Sequence, residues 1–270
     1  MKDLKENDFL LAIIYFCINI SLNSIRETAI MTALYILFSL FLIISTIKAG
    51  KAKKLGLCQP EGNLKQYLYF IPLMVPPIYN LLSIFSPHFS LSGTISGTSL
   101  STFSCSTENL SLHHINTTPS IEFAFFLIRM ICAGFVEEFI FRGLLFPALC
   151  HKSHDNVTFG VVISSTAFSL AHLLNLFGGS PLLPTILQVC YSFCIGFMFA
   201  AVFFRCRSLV PCIVSHCAIN LFSAFSINNL SGTLKAPESL ALQIAILLTV
   251  SVLSFLYGIF LLKTESRRDH

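Results

Sequence analysis

Charge is scarce in this 270-residue chain: Asp, Glu, Lys and Arg make up 11% of it, while 54% is hydrophobic and the mean hydropathy is +0.77. Soluble domains are about 25% charged, so the shortage excludes an ordinary soluble domain and leaves a polytopic membrane protein. The 10 cysteines include no Cys-x-x-Cys pair and no Cys/His metal pattern. Most of them, such as Cys17, Cys132, Cys190, Cys194 and Cys217, lie singly in apolar spans as small hydrophobes. That excludes a disulfide scaffold and leaves all of them reduced. No His-Glu-x-x-His segment is present. No internal repeat of the kind found in inverted-repeat transporters is visible either. The net charge of +4 is not a nucleic-acid footprint, because the basic residues sit at span ends.

What is abundant is apolar sequence long enough for crossings of about 20 residues each. Polar punctuation divides it into spans at 9–25, 28–47, 66–86, 121–149, 157–176, 183–204, 208–226 and 238–262. The expected fold is therefore all-α with about eight transmembrane helices, which places both termini on one side. Cytoplasmic loops are enriched in Lys and Arg. Lys2, Lys5, Lys48, Lys51, Lys53, Lys54, Lys65, Lys152, Arg205, Arg207, Lys263, Arg267 and Arg268 then fall on one side, and only Arg26 and Lys235 on the other. Both termini are expected in the cytoplasm. A signal peptide is not expected, since residues 2–8 mix both signs and no small-residue cleavage site follows the first span.

The connection from Ser86 to Ser120 is rich in Ser and Thr, with Glu108 as its one acid and no Lys or Arg. It reads as a non-cytoplasmic loop. Sequons beginning at Asn109, Asn116 and Asn229 would face the side where glycosylation occurs in cells that perform it. The chain divides into accessory helices and loop at 1–120, a core at 121–226 and a final helix with a basic tail at 227–270.

Inside this apolar sequence sit a few polar groups that are costly to retain there unless they pair or line a cavity. Glu137 and Glu138 are adjacent, and Arg142 lies one turn after Glu138. Residues four apart share a helical face, so Glu138 and Arg142 are expected to pair. Glu137 points about 100° away, which predicts that the two carboxylates do not serve one partner and that one of them faces a cavity. A desolvated carboxylate is a competent base toward water. His172 closes Phe168-Ser169-Leu170-Ala171-His172, and His216 and Asn220 again lie four apart. Two donors on one face suit a developing oxyanion. At 1.5 Å per residue, Glu137 lies about 18 Å, His172 about 22 Å and His216 about 12 Å from the cytoplasmic ends of their spans. Groups from three spans can thus meet within the membrane. Each also has a plainer reading, as an interhelical salt bridge, a hydrogen-bonded core histidine or a polar clamp.

Glu-Glu-x-x-x-Arg at 137–142, Phe-x-x-x-His at 168–172 and His-x-x-x-Asn at 216–220, in that order, resemble the three signature motifs of the CPBP intramembrane glutamic proteases. That family includes the type II CAAX prenyl endopeptidases and bacterial homologues linked to bacteriocin processing and immunity. The resemblance covers roughly residues 121–226. It implies four core helices around a polar cavity facing the cytoplasm, an endopeptidase without metal or other cofactor, and a membrane-associated or lipidated peptide as substrate. It also implies that Glu137 and His172 position and deprotonate water, that His216 and Asn220 hold the oxyanion, and that Glu138 with Arg142 braces the site. The compact linkers resemble bacterial members, so the plasma membrane of a bacterium is the expected location.

Three other readings remain at this stage. Glu and His are also zinc ligands, but neither His172 nor His216 has a second histidine one turn away. A protein that captures a peptide for immunity without cutting it could use the same cavity. Proton-relaying transport is a third use of such groups.

Overall fold

The computed structural model describes residues 7–25, 27–53, 55–57, 64–85, 121–228 and 237–266. Within them all regular structure is helical, with no β-strand. Helix α1 is Asn7–Asn23 and α2 is Thr28–Lys48. A 3₁₀ stretch, Leu64–Met74, runs into α3 at Val75–Phe85. Helix α4, Ile121–Glu138, continues through a π-helical turn, Phe139–Leu145, into α5 at Phe146–Lys152. Helix α6, Val157–Ala171, ends in a 3₁₀ turn, His172–Gly178, and is followed by α7 (Leu182–Cys206), α8 (Val210–Asn228) and α9 (Pro237–Ser266). The Ser86–Ser120 connection, the three sequons and the charged ends of the chain lie outside the described residues.

Each of the eight apolar spans read from the sequence falls on one of these helical stretches. Four are long and apolar enough to cross a membrane: Ala29–Lys48, Val157–Gly178, Leu182–Cys206 and Ile244–Thr264. Asp8–Asn23, Leu68–Leu81 and Val210–Ser223 are apolar but shorter. Helix α4 is set apart by its charges: Arg129, Glu137 and Glu138 are buried, as is Arg142 in the turn beyond. The outward faces are apolar instead. Leu37, Leu40, Phe41, Ile44 and Ile47 on α2, and Val252, Leu253, Leu256 and Phe260 on α9, are exposed. Such a surface suits lipid and would be a liability in water.

Helix α7 runs through the centre, packed against α6, α9 and both 3₁₀ segments. Helix α4 packs on α8 and α2, and α8 also packs on α3. Without a strong hydrophobic drive between helices in lipid, close packing at small residues and polar ties hold such bundles together. At Gly134, α4 and α8 approach closely: a Cβ there would stand 3.1 Å from Cys217 Sγ and 3.2 Å from both Asn220 Nδ2 and the Cys217 backbone nitrogen. Tyr35 donates to Asn19 Oδ1 at 2.8 Å, tying α2 to α1. Ser215 donates to the Leu73 carbonyl at 2.5 Å, and Asn80 Nδ2 donates to Ser223 Oγ at 2.9 Å.

On the opposite side of the core, the segment after α2 folds back onto the turn between α7 and α8. Gly56 takes a left-handed backbone (φ 66°) that favours glycine. Its carbonyl accepts from Ser208 Oγ and from the Leu209 amide, each at 3.0 Å. The neighbouring Leu55 is buried beside Gly143 and Leu209.

Candidate active site

The acidic pair sits where α4 changes pitch. Pro147 has no N–H to offer the carbonyl four residues back, and the coil widens in the turn before it, with the Phe146 amide donating to the Phe141 carbonyl five residues earlier. Single π turns of this kind are frequent at functional sites. Here the widened turn begins immediately after Glu138 and contains Arg142.

Arg142 donates from Nη1 to Glu138 Oε1 at 2.7 Å, and both side chains are buried. The guanidinium is fixed on two further sides. Nη2 donates to the Gly196 carbonyl at 3.3 Å, and the cation lies 4.2 Å from the centre of the Phe168 ring. Gly196 is required by this crowding, since a Cβ there would come within 2.9 Å of Arg142 Nη2 and 3.0 Å of Phe168 Cδ1.

His216 lies between the two glutamates. Its Nδ1 is 2.7 Å from Glu138 Oε1, and its Nε2 is 3.6 Å from Glu137 Oε2. The expectation that the carboxylates could not share a partner is therefore wrong. Two groups 100° apart on a helix do miss a point-like partner, but an imidazole carries nitrogens on opposite edges and can be bracketed. Because Glu138 is a carboxylate committed to Arg142, the His216 Nδ1 is the donor in the short contact, which leaves Nε2 turned toward Glu137.

His172 begins the 3₁₀ turn after α6, and Phe168 separates it from His216. The Phe168 ring stands edge-on to both imidazoles, with centroids 5.2 Å from His172 and 5.8 Å from His216. Both histidines and Phe168 line a small cavity together with Tyr191, Ser192, Ile195, Phe199 and Ile219. Its volume is about 20 Å³, enough for one water. In its lining, His172 Nε2 is buried without a hydrogen-bond partner, and the buried Glu137 Oε2, 3.6 Å from His216 Nε2, has none either. Buried polar groups are nearly always satisfied, so each such exception needs an explanation.

Asn220 is placed differently from the histidines. Its amide Nδ2 donates to the Met130 carbonyl at 3.1 Å and so fastens α8 to α4, while Oδ1 has no hydrogen-bond partner. The carbonyl of a mid-helix residue does not ordinarily need a second donor. The contact thus works as a clamp at the Gly134 crossing and leaves Asn220 one further N–H.

Sequence reasoning missed the residues behind His172. Gln188 Nε2 is 3.3 Å from His172 Nδ1, and Gln188 Oε1 accepts from Asn175 Nδ2 at 2.9 Å. A lone amide in an apolar span is the signal that could have pointed to Gln188. Tyr191 and Ser192 of the lining and the two close-approach glycines were also unmarked, because an isolated Ser, Tyr or Gly in a membrane helix carries no pattern. Among the described residues, no group of three His, Cys, Asp or Glu side chains is arranged to hold a metal ion.

Comparison with known families adds one match. Residues 119–222 match the family described as Rce1-like, type II CAAX prenyl endopeptidase Rce1-like. No curated protein and no solved structure matches the chain.

Proposed function

We propose that this chain, whose residues 119–222 match the Rce1-like family of type II CAAX prenyl endopeptidases, is an intramembrane endopeptidase that uses glutamate-activated water without a metal. The observation that carries this reading is the buried, unpartnered His172 Nε2 in the lining of a cavity of one-water size, with His216 of the same lining 3.6 Å from the equally unpartnered Glu137 Oε2.

In this mechanism the water gives its proton to Glu137 as its oxygen attacks the carbonyl carbon of the scissile peptide bond. The resulting oxyanion is held by the free amide N–H of Asn220, while His216, its one proton committed at Nδ1 to Glu138, turns the Nε2 lone pair toward Glu137 and accepts from that carboxyl once it is protonated. Collapse breaks the C–N bond, and the proton taken up by Glu137 passes to the departing amine. Glu138, neutralised by Arg142, keeps the His216 ring in one orientation, a division of labour similar to a carboxylate holding a catalytic imidazole. The substrate is a membrane-associated or lipidated peptide, and the bilayer is the constant partner. Residues 121–226 form the catalytic core, with 1–120 and 227–270 as flanking helices. Eight crossings, cytoplasmic termini, a cavity opening to the cytoplasm and a bacterial plasma membrane complete the proposal.

The test uses purified protein in nanodiscs and a quenched fluorescent peptide ending in a prenylated Cys-aliphatic-aliphatic-X tail. Glu137→Gln keeps size and polarity but removes basicity, and should lower kcat by about 10² to 10⁴. Wild-type turnover should survive a strong chelator. Loss of activity on chelation points to zinc, and equal turnover by Glu137→Gln ends the glutamate mechanism. A wild-type protein that binds the peptide and never cuts it favours the capture reading.

A further inference from the structure

The two histidines are held by opposite kinds of partner. His216 meets a carboxylate at Nδ1, which can only accept. His172 meets the amide nitrogen of Gln188, which can only donate. The contact continues one step further back. Gln188 Oε1 is occupied by Asn175 Nδ2, so the Gln188 amide turns its nitrogen toward the ring. Asn175 reaches this position because the 3₁₀ turn has three residues per turn, which brings residues i and i+3 onto one edge. Asn175 is the third residue after His172. Gly179, at φ 88°, ends that turn with its amide on the Leu176 carbonyl. All three side chains of the chain Asn175, Gln188, His172 are buried.

We propose that Gln188, oriented by Asn175, is a positioning residue that keeps His172 in the neutral tautomer with its proton on Nε2. The inference rests on the protease reading and sharpens it. With Nδ1 accepting from Gln188, the ring presents an N–H to the cavity, through the buried nitrogen that has no protein partner. His172 then holds the water by donating to its oxygen, and Glu137 alone accepts the proton. His216 has the reverse arrangement, with the proton on Nδ1. The site thereby distinguishes two chemically identical side chains by what stands behind them, as second-layer partners fix histidine tautomers elsewhere. No proton leaves His172 during attack, and one water proton moves to Glu137.

The experiment reads the tautomer directly. Protein with ¹⁵N-labelled histidine in nanodiscs is examined by NMR, with His172 and His216 assigned by His172→Gln and His216→Gln. In wild type, His172 should show a protonated Nε2 and an unprotonated Nδ1, and His216 the reverse. Gln188→Glu replaces the donor with an acceptor and should move the His172 proton to Nδ1, with the His216 signals unchanged as the check on folding. Gln188→Leu should leave His172 exchanging between both forms. A wild-type His172 protonated at Nδ1, or a His172 signal indifferent to Gln188→Glu, overturns the proposal. On the prenylated peptide, both variants should lose about 10- to 100-fold in kcat, the usual cost of losing such a partner, with KM within about twofold of wild type. A drop confined to KM also counts against it. The NMR result does not depend on turnover, so a wild type that fails to cut would sink the protease reading and leave the tautomer assignment standing or falling by itself.

Discussion

Glu137 and Glu138 are the same side chain one position apart, yet their surroundings divide them. Glu138 is closed in through Oε1 by Arg142 and His216, each at 2.7 Å, whereas Glu137 has only the longer 3.6 Å approach to His216 Nε2. The consequence for Arg142 is energetic. Removing one partner of a buried ion pair strands the other charge and costs about 3–5 kcal/mol, while removing both can be nearly neutral. Arg142→Ala should therefore lower the yield of folded protein and its unfolding temperature. Arg142→Leu combined with Glu138→Leu should recover much of the yield but remain slow, because nothing then orients His216. Thermal unfolding followed by tryptic digestion or detergent-compatible calorimetry reads the first effect, and peptide turnover the second. An Arg142→Ala protein as stable and active as wild type would remove the bracing role.

At the scale of elements, the site depends on two helices approaching more closely than most side chains allow. Gly134 lets α4 and α8 meet, and the Asn220 contact to Met130 lies at the same crossing. Gly134→Leu should push the helices apart and cost about 1–3 kcal/mol, as overpacking commonly does. It should also lengthen the His216 contact to Glu137 and reduce kcat more than it changes peptide binding. Turnover and binding measured on the same preparation separate the two. This is also where the sequence was least legible. Helix positions followed from apolar runs, and the Glu138–Arg142 pair followed from spacing. The bracketing of His216 did not, because it depends on which edge of a ring each neighbouring helix presents. The Gln188–His172 contact joins residues from adjacent elements through a turn whose 3₁₀ pitch has no marker in the sequence beyond Gly179. The π turn was equally hidden, although Pro147 offers a reason for it once the coil is seen.

At the scale of the whole molecule, apolar runs identified where helices lie better than how many cross the bilayer. Four stretches satisfy length and hydropathy together, and α4 departs from the pattern because it carries charges, of which Arg129, Glu137 and Glu138 are buried. A hydropathy criterion counts charges without knowing where they point. Eight crossings with both ends in the cytoplasm make a definite prediction about access. In a background stripped of native cysteines, Ser180→Cys should react with an impermeant thiol reagent added outside intact cells. Lys152→Cys and Arg207→Cys should react only after the membrane is opened. Labelling of Lys152→Cys from outside would reverse the orientation or change the count.

The seat of Gly56 on the turn at Ser208 and Leu209 bears on how the protein can be dissected. The region carrying the motifs begins near residue 119, but one of its hairpins is closed by a backbone carbonyl contributed from more than a hundred positions upstream. A fragment cut to the motif-bearing region would leave that hairpin's amide and hydroxyl without their acceptor and open the hollow that Leu55 fills. The first helices are thus a keystone for the rest, and supplying residues 7–57 as a separate co-expressed piece is the natural way to restore a shortened enzyme.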